Sequence, residues 1–497
     1  MNELLVIFII FLSGLGMVRL CLKSEYPMFN AASAFPLGLV GWFLSYILVY
    51  GSLSFLQRPI PFTVADVRLS FGIFCCFSLI LISLTLFRER LVWQEFFVYA
   101  AIFSIFTISH FCLRRINILV VNAEPYGMID IETSLSTFIR GGVPIFNRTI
   151  FSLSALIGDD YIFATFPQYT AISLSLLMCY VTFGELRRTS HSLAYSLILS
   201  FCPIAILFSS YVGVWQLFYT NHHLLAATFV FLFAASCWLA ITKQTPRAFI
   251  IGTISLIAFS FTRMEGVLCA IAILCIFLSM PGLSLKDQRI ASLIFLCGIS
   301  PWSAYIISVL GFTKEGKIGS GMQHAAIWGF AAASTLCFQL NRWKAWQRVL
   351  CHFYKFVPAA VWLILIVFTR LKSEHMLFNL HISLLSLFND TRGMWYNPMN
   401  IDADQHGGWG NTWFFIIGAT VLILALRPQS KQTRFMDAFG LSGVAAMGLI
   451  IAIIYFALPY YAGLTDSANR IFFHFTPLLL VWTITQLGII FAGENRN

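Results

Sequence analysis

Charge is what this chain has least of. Only 10% of its 497 residues are Asp, Glu, Lys or Arg, well under half of the roughly 25% typical of soluble domains. With 59% hydrophobic residues and a mean hydropathy of +0.82, the chain lacks the polar surface that an aqueous globular fold needs. It also lacks CxxC pairs and Cys/His spacings of the zinc-site kind. Its 12 cysteines are scattered, mostly inside apolar segments such as those of Cys75, Cys76 and Cys275, and read as small buried hydrophobes. Internal repeats, low-complexity tracts and a soluble domain are missing too. The first apolar run, Leu4 to Leu22, has neither a basic start nor a small-residue cleavage site, so it reads as a span and not as a cleaved leader. The net charge of +10 does not point to nucleic acid. The basic residues sit in short clusters between apolar runs, the pattern that sets membrane topology and meets anionic lipid headgroups.

What is present is apolar sequence, with 50 phenylalanines. A backbone in hydrocarbon must satisfy its own hydrogen bonds, and a helix does so locally. Runs long enough to cross about 30 Å of hydrocarbon fall at 4–22, 36–55, 69–87, 94–112, 162–183, 191–209, 222–241, 248–262, 265–281, 290–309, 323–338, 356–370, 412–427, 437–458 and 470–491. The expected fold is therefore an all-α polytopic bundle of about 15 spans (13 to 15). Only Thr262-Arg263-Met264-Glu265-Gly266 separates the 248–262 and 265–281 runs, which form one long helix or a hairpin of two. The organisation reads as N-terminal helices (1–115), a polar loop (116–161), central helices (162–370), a second loop (371–411) with the aromatic and turn residues of an ordered cap, and C-terminal helices (412–497).

Basic residues assign the sides. Arg88 and Arg90, Arg187 and Arg188, Lys243 and Arg247, and Lys286 and Arg289 mark one face, continued by Arg342, Lys344, Arg348 and Lys355 and by Arg427, Lys431 and Arg434. If that face is cytoplasmic, alternation puts 122–160, 210–223, 371–411 and 459–469 outside. Arg114 and Arg115 break the pattern: they either weaken this topology or have a task on the outer face. Acid is enriched outside, at Glu124, Asp130, Glu132, Asp159, Asp160, Glu374, Asp390, Asp402, Asp404 and Asp466. The short loops favour a bacterial inner membrane. Asn147-Arg-Thr149 and Asn389-Asp-Thr391 match the N-glycosylation pattern, a triplet that arises often by chance.

Three stretches have the residue types for chemistry. Asp130–Ile139 reads as a short amphipathic surface helix, with Leu135, Phe138 and Ile139 on one face and Gly141-Gly142 as its stop. Asp130 and Glu132 lie near its start, where a carboxylate is stabilised as the anion and acts as a base, binds a cation, or simply caps the helix. Asp159 and Asp160 read as the cap of the next helix. Arg263 and Glu265 are charges inside a long apolar stretch, which by default mark a function or an obligatory ion pair; Arg263 suits bidentate binding of a lipid phosphate. Arg470 opens the last span, as a phosphate ligand or an ordinary interfacial arginine. His222-His223 and the Asp402/Asp404/His406 cluster are weaker candidates, since neither has metal-site spacing on a helix.

These features together resemble the integral-membrane GT-C glycosyltransferases. The resemblance rests on a long acidic outer loop with Gly-Gly-Val-Pro144 downstream, Phe166-Pro167 opening the next helix, Arg263-x-Glu265-Gly266 between two apolar runs, and Asn469-Arg-Ile-Phe-Phe-His-Phe-Thr-Pro477 near the end. It covers roughly residues 94–280 and 459–490, and none of its motifs is specific alone. It implies transfer of a sugar from a polyprenyl-phosphate donor to a lipid, glycan or protein acceptor at the outer face. Asp130 would be the base, Glu132 its near alternative, and Arg263, Glu265, Arg470, Arg114 and Arg115 would serve the donor phosphate. No organic cofactor is implied, and members differ in whether a divalent cation is needed. Four spans precede the acidic loop here, where the family usually has one, which implies an added N-terminal helical module. Other readings are a multi-span polysaccharide polymerase or ligase using Arg370, Lys372, His375, Arg392 and His406, a lipid-linked-sugar transporter, or a membrane scaffold.

Overall fold

The computed structural model describes residues 3–22, 25–55, 64–88, 92–116, 161–189, 192–218, 222–262, 266–311, 319–371, 409–426, 435–456 and 470–494, with isolated positions at 146, 149–150, 152–153, 156 and 315–316. Apart from a two-residue antiparallel ladder, Glu315–Gly316 with Gly319–Ser320, the elements among these residues are helical. They are α1 (Glu3–Cys21), α2 (Pro27–Phe55), α3 (Val64–Arg88), α4 (Trp93–Ile116), α5 (Tyr161–Arg188), α6 (Leu193–Ser209), α7 (Tyr211–Phe218), α8 (His223–Thr242), α9 (Ala248–Thr262), α10 (Gly266–Leu278), α11 (Leu285–Leu310), α12 (Gly321–Gln339), α13 (Lys344–Leu350), α14 (Phe353–Leu371), α15 (Thr412–Leu426), α16 (Asp437–Phe456) and α17 (Thr476–Glu494). Seven of the described helices are long and apolar enough to cross a membrane, or nine if the bent pairs α6–α7 and α13–α14 each form one span; five further apolar helices are shorter.

The bundle is built around α8. Its sequence is apolar on every side, and 94% of its most apolar window is buried, as expected of a helix with no polar face. It packs against α5, α9 and α17. At the periphery, α3, α4 and α11 bury only about a third of theirs or less. They turn Leu79, Phe97 and Leu293 outward, side chains that lie comfortably against lipid tails as apolar as themselves.

Small residues set a close crossing of α1 and α2. A Cβ on Gly14 of α1 would lie 1.7 Å from the Ala34 carbonyl oxygen, and one on Gly38 of α2 would lie 1.9 Å from that of Ile10. With backbone on both sides, nothing can rotate out of the way. Gly38→Leu is therefore expected to destabilise the protein by about 3 kcal/mol or more, above the usual cost of overpacking, as read from thermal unfolding in detergent.

Polar groups inside the bundle are satisfied locally or in pairs. Ser33 donates to the Phe29 carbonyl at 2.7 Å and Thr228 to that of Leu224 at 2.8 Å, the back-bonding open to hydroxyls on a helix. Arg19 and Glu95 form a buried ion pair at 3.2 Å, and Tyr99 donates to the same carboxylate at 3.3 Å. Glu95→Ala would leave Arg19 buried without its counter-ion, and a loss of about 3–5 kcal/mol is expected in the same unfolding measurement.

The helix ends sort into two groups. At the basic end, Arg88 donates to the Leu20 carbonyl, Tyr26 meets Thr245, and Trp238 and Arg188 both donate to Glu185. At the opposite, loop end lie Glu3, His110, Tyr169, Leu217, His223 and His474, joined by the contacts described below. The expected alternation of basic and loop faces is thus seen in the packing.

Several boundaries differ from the apolar runs. The 248–262 and 265–281 runs form a hairpin: Phe277, near the end of α10, meets Phe233 at 5.3 Å, and a Cβ on Gly252, early in α9, would touch the same Phe233. Helix α2 starts at Pro27 instead of residue 36, because Asn30 and Ser33 find buried partners. The last run is interrupted: residues 470–472 are helical, 473–475 form a turn, and α17 begins at Thr476.

Candidate functional site at the loop end

Segments far apart in sequence meet at the loop end. The acidic loop returns to the bundle through Phe146 and Thr149, both fully buried. Trp42 of α2 donates its indole N–H to the Thr149 carbonyl. Phe146 stacks on Phe43 at 4.8 Å and meets the edge of Phe229 of α8 at 5.4 Å. Phe43 in turn contacts Phe261 at 5.4 Å, two residues before Arg263. The downstream end of the acidic loop therefore lands beside the last turn of α9.

The turn before α17 reaches the same place. Phe259 of α9 meets His474 at 6.1 Å and Phe475 at 6.0 Å. Trp409, at the end of the second loop, stacks on Phe473, and Trp413, in the first turn of α15, meets Phe472 edge-on. Arg470, partly buried, sits one helical turn before His474.

Three imidazoles form a buried column here. His223 Nδ1 lies 2.9 Å from His474 Nε2, and the rings stack at 5.1 Å, with His222 stacked on His223 at 5.9 Å. Of the paired nitrogens one must donate and the other accept.

A second buried chain joins α1, α4 and α5. His110 Nδ1 lies 2.7 Å from the Tyr169 hydroxyl, and its Nε2 lies 3.4 Å from Glu3. All three are almost fully buried. A carboxylate on Nε2 holds that nitrogen protonated and leaves Nδ1 to accept from the tyrosine, so the chain ties the first helix to the helices flanking the acidic loop.

Of the residues singled out from sequence, Arg470 lies at this end. Arg114 and Arg115 fall in the last turn of α4, also at the loop end. Asp130, Glu132, Arg263 and Glu265 lie outside the described residues, as do the surface helix expected at 130–139 and the 372–408 stretch of the second loop. The flanks of Arg263 and Glu265, Thr262 and Gly266, are both buried. Three features had gone unremarked: Glu3 and His110, and the pairing of His223 with His474 across 251 positions. Their only sequence signal is a polar residue inside an apolar run. Among the described residues, no group of three His, Cys, Asp or Glu side chains is arranged to hold a metal ion. No protein-family model matches the chain, and comparison with characterised proteins and with solved structures returns no match.

Proposed function

We propose that this chain is a GT-C-type membrane glycosyltransferase of about 15 spans, each of the shorter apolar helices and the bent pairs α6–α7 and α13–α14 included. It acts on a polyprenyl-phosphate sugar at the outer face of a bacterial inner membrane. The observation that carries the reading is the meeting of three remote segments at the loop end: the return of the acidic loop at Phe146, the end of α9 at Phe259 and Phe261, and the turn with Arg470 and His474.

In the reaction, Asp130, or Glu132 in its place, takes the proton of an acceptor hydroxyl. The acceptor oxygen bonds to the anomeric carbon as the bond from that carbon to the phosphate oxygen breaks. The lipid phosphate departs with the electron pair, its charge met by Arg470 and Arg263, with Glu265 holding Arg263. General-base and electrostatic help are the two forms of assistance this displacement needs, since the phosphate is already a good leaving group. Arg114 and Arg115, in the last turn of α4, serve the donor phosphate as it arrives.

A second reading has one observation in its favour: the loop ending at Trp409 also packs on the Arg470 turn, which would let a polymerase or ligase bring Arg392 and His406 to the site. Release of polyprenyl phosphate by the full chain in proteoliposomes separates the two. Loss of release on Arg392→Ala or His406→Ala, with full activity in Asp130→Asn and Glu132→Gln, would favour polymerisation or ligation. Sidedness has its own test. Met322, exposed at the loop end, and Lys344, exposed at the basic end, can each be made cysteine in a chain cleared of exposed native cysteines. An impermeant maleimide outside the cell is expected to label Met322→Cys and to spare Lys344→Cys. The reverse pattern would invert the orientation.

A further inference from the structure

Gln216 sits in α7, the short helix set at 86° to α6. It is fully buried, and among the described residues neither its Nε2 nor its Oε1 has a hydrogen-bond partner. Gln168 of α5 donates its Nε2 to the Leu217 carbonyl, which pins α7 against α5. The amide orientation is fixed by that contact, because the flipped form would set oxygen against oxygen. Gln168 Oε1 is then left buried and without a partner as well.

Buried amides are nearly always satisfied, and one left bare forfeits all the hydrogen bonds it made in water. Two bare amides, one beside Leu217 in sequence and the other bonded to its carbonyl, are therefore places for a group that the ligand-free chain does not supply. The chemistry of that group follows from theirs. Together they offer the two N–H donors of Gln216 and two carbonyl acceptors, with no charge. A phosphate only accepts and an ammonium only donates, whereas a hydroxyl does both. Helix α7 leads within five residues to His223 and the imidazole column, and it packs on α5 and α8.

We propose that Gln216, assisted by Gln168, is the subsite for the hydroxyl groups of the sugar carried on the lipid phosphate; this rests on the glycosyl-transfer reading above. The device exchanges stability for recognition: the amide is held unsatisfied in the empty protein so that only a hydroxyl-bearing ligand completes it.

The test compares binding of polyprenyl phosphate with binding of polyprenyl-phosphate glucose, mannose, galactose and arabinose, using the full chain in lipid nanodiscs. The wild-type protein is expected to prefer at least one sugar-bearing lipid over the bare one by about tenfold or more, the equivalent of one or two good hydrogen bonds. Gln216→Leu is expected to erase that preference, to leave affinity for bare polyprenyl phosphate unchanged, and to raise the melting temperature of the empty protein. A preference that survives Gln216→Leu, or a variant that melts lower, would show the amide to be structural and overturn the subsite while leaving glycosyl transfer standing. Wild-type protein that binds both kinds of lipid equally would overturn it too. Failure to bind any of these lipids would overturn the glycosyl-transfer reading itself, and the subsite with it.

Discussion

Asp130→Asn is expected to lower glycosyl transfer by roughly 10²–10⁴-fold, the range that a positioned general base supplies, without loss of folded protein. The acceptor hydroxyl is a poor nucleophile until its proton is taken. An amide of the same shape keeps the geometry and cannot take it. In the sequence Asp130 falls within the acidic loop, and its replacement removes no apolar side chain. Glu132→Gln, two residues on, is expected to cost less than tenfold. Initial rates of polyprenyl-phosphate release, at saturating donor and acceptor, decide between them. If the two effects exchange, Glu132 is the base. If both variants keep full activity, the base lies elsewhere and the loop is a solvated surface.

Arg470→Gln is expected to lower the rate by about 10²–10³-fold, the usual cost of removing one donor aimed at developing negative charge. The departing phosphate gains charge as the sugar leaves, so the interaction strengthens in the transition state and the loss appears in kcat as well as in kcat/KM. Arg470→Lys keeps the charge but not the two-pronged geometry, and should recover only part of the rate. His474→Phe tests the column behind it. The ring contact with Phe259 survives and the hydrogen bond to His223 does not, so donor binding should weaken while the folded protein is kept. An Arg470→Gln effect confined to KM would place the arginine at the entrance of the site instead of at the phosphate.

Much of the architecture was legible in the apolar runs, because a span must be long, continuous and poor in charge. The boundaries that moved did so for a common reason. Asn30 and Ser33 look like loop residues until Tyr99 and the Phe29 carbonyl are seen to satisfy them. The hairpin at residues 262–266 depends on α10 folding back to Phe233, a tertiary contact with no local signature. The site was legible only in part. Arg470 stands out as a charge at the mouth of an apolar run, whereas His474 looks like one more aromatic position. Its partner His223 lies 251 residues away. Glu3 reads as an ordinary polar terminus, and only the fold sets it beside His110. Gln216 is the extreme case, since an uncharged amide in a short helix carries no signal until its burial and its missing partners are known.

Photo-crosslinking of a diazirine-bearing polyprenyl phosphate to the full chain in nanodiscs, mapped by peptide mass spectrometry, tests the proposed phosphate site most directly. Glycosyl transfer at the loop end requires adducts on the 470–475 turn and on the residues flanking Arg263, competed by unlabelled polyprenyl phosphate and strongly reduced in Arg470→Gln. Adducts scattered over the lipid-facing sides of α3, α4 and α11, insensitive both to competition and to Arg470→Gln, would contradict it.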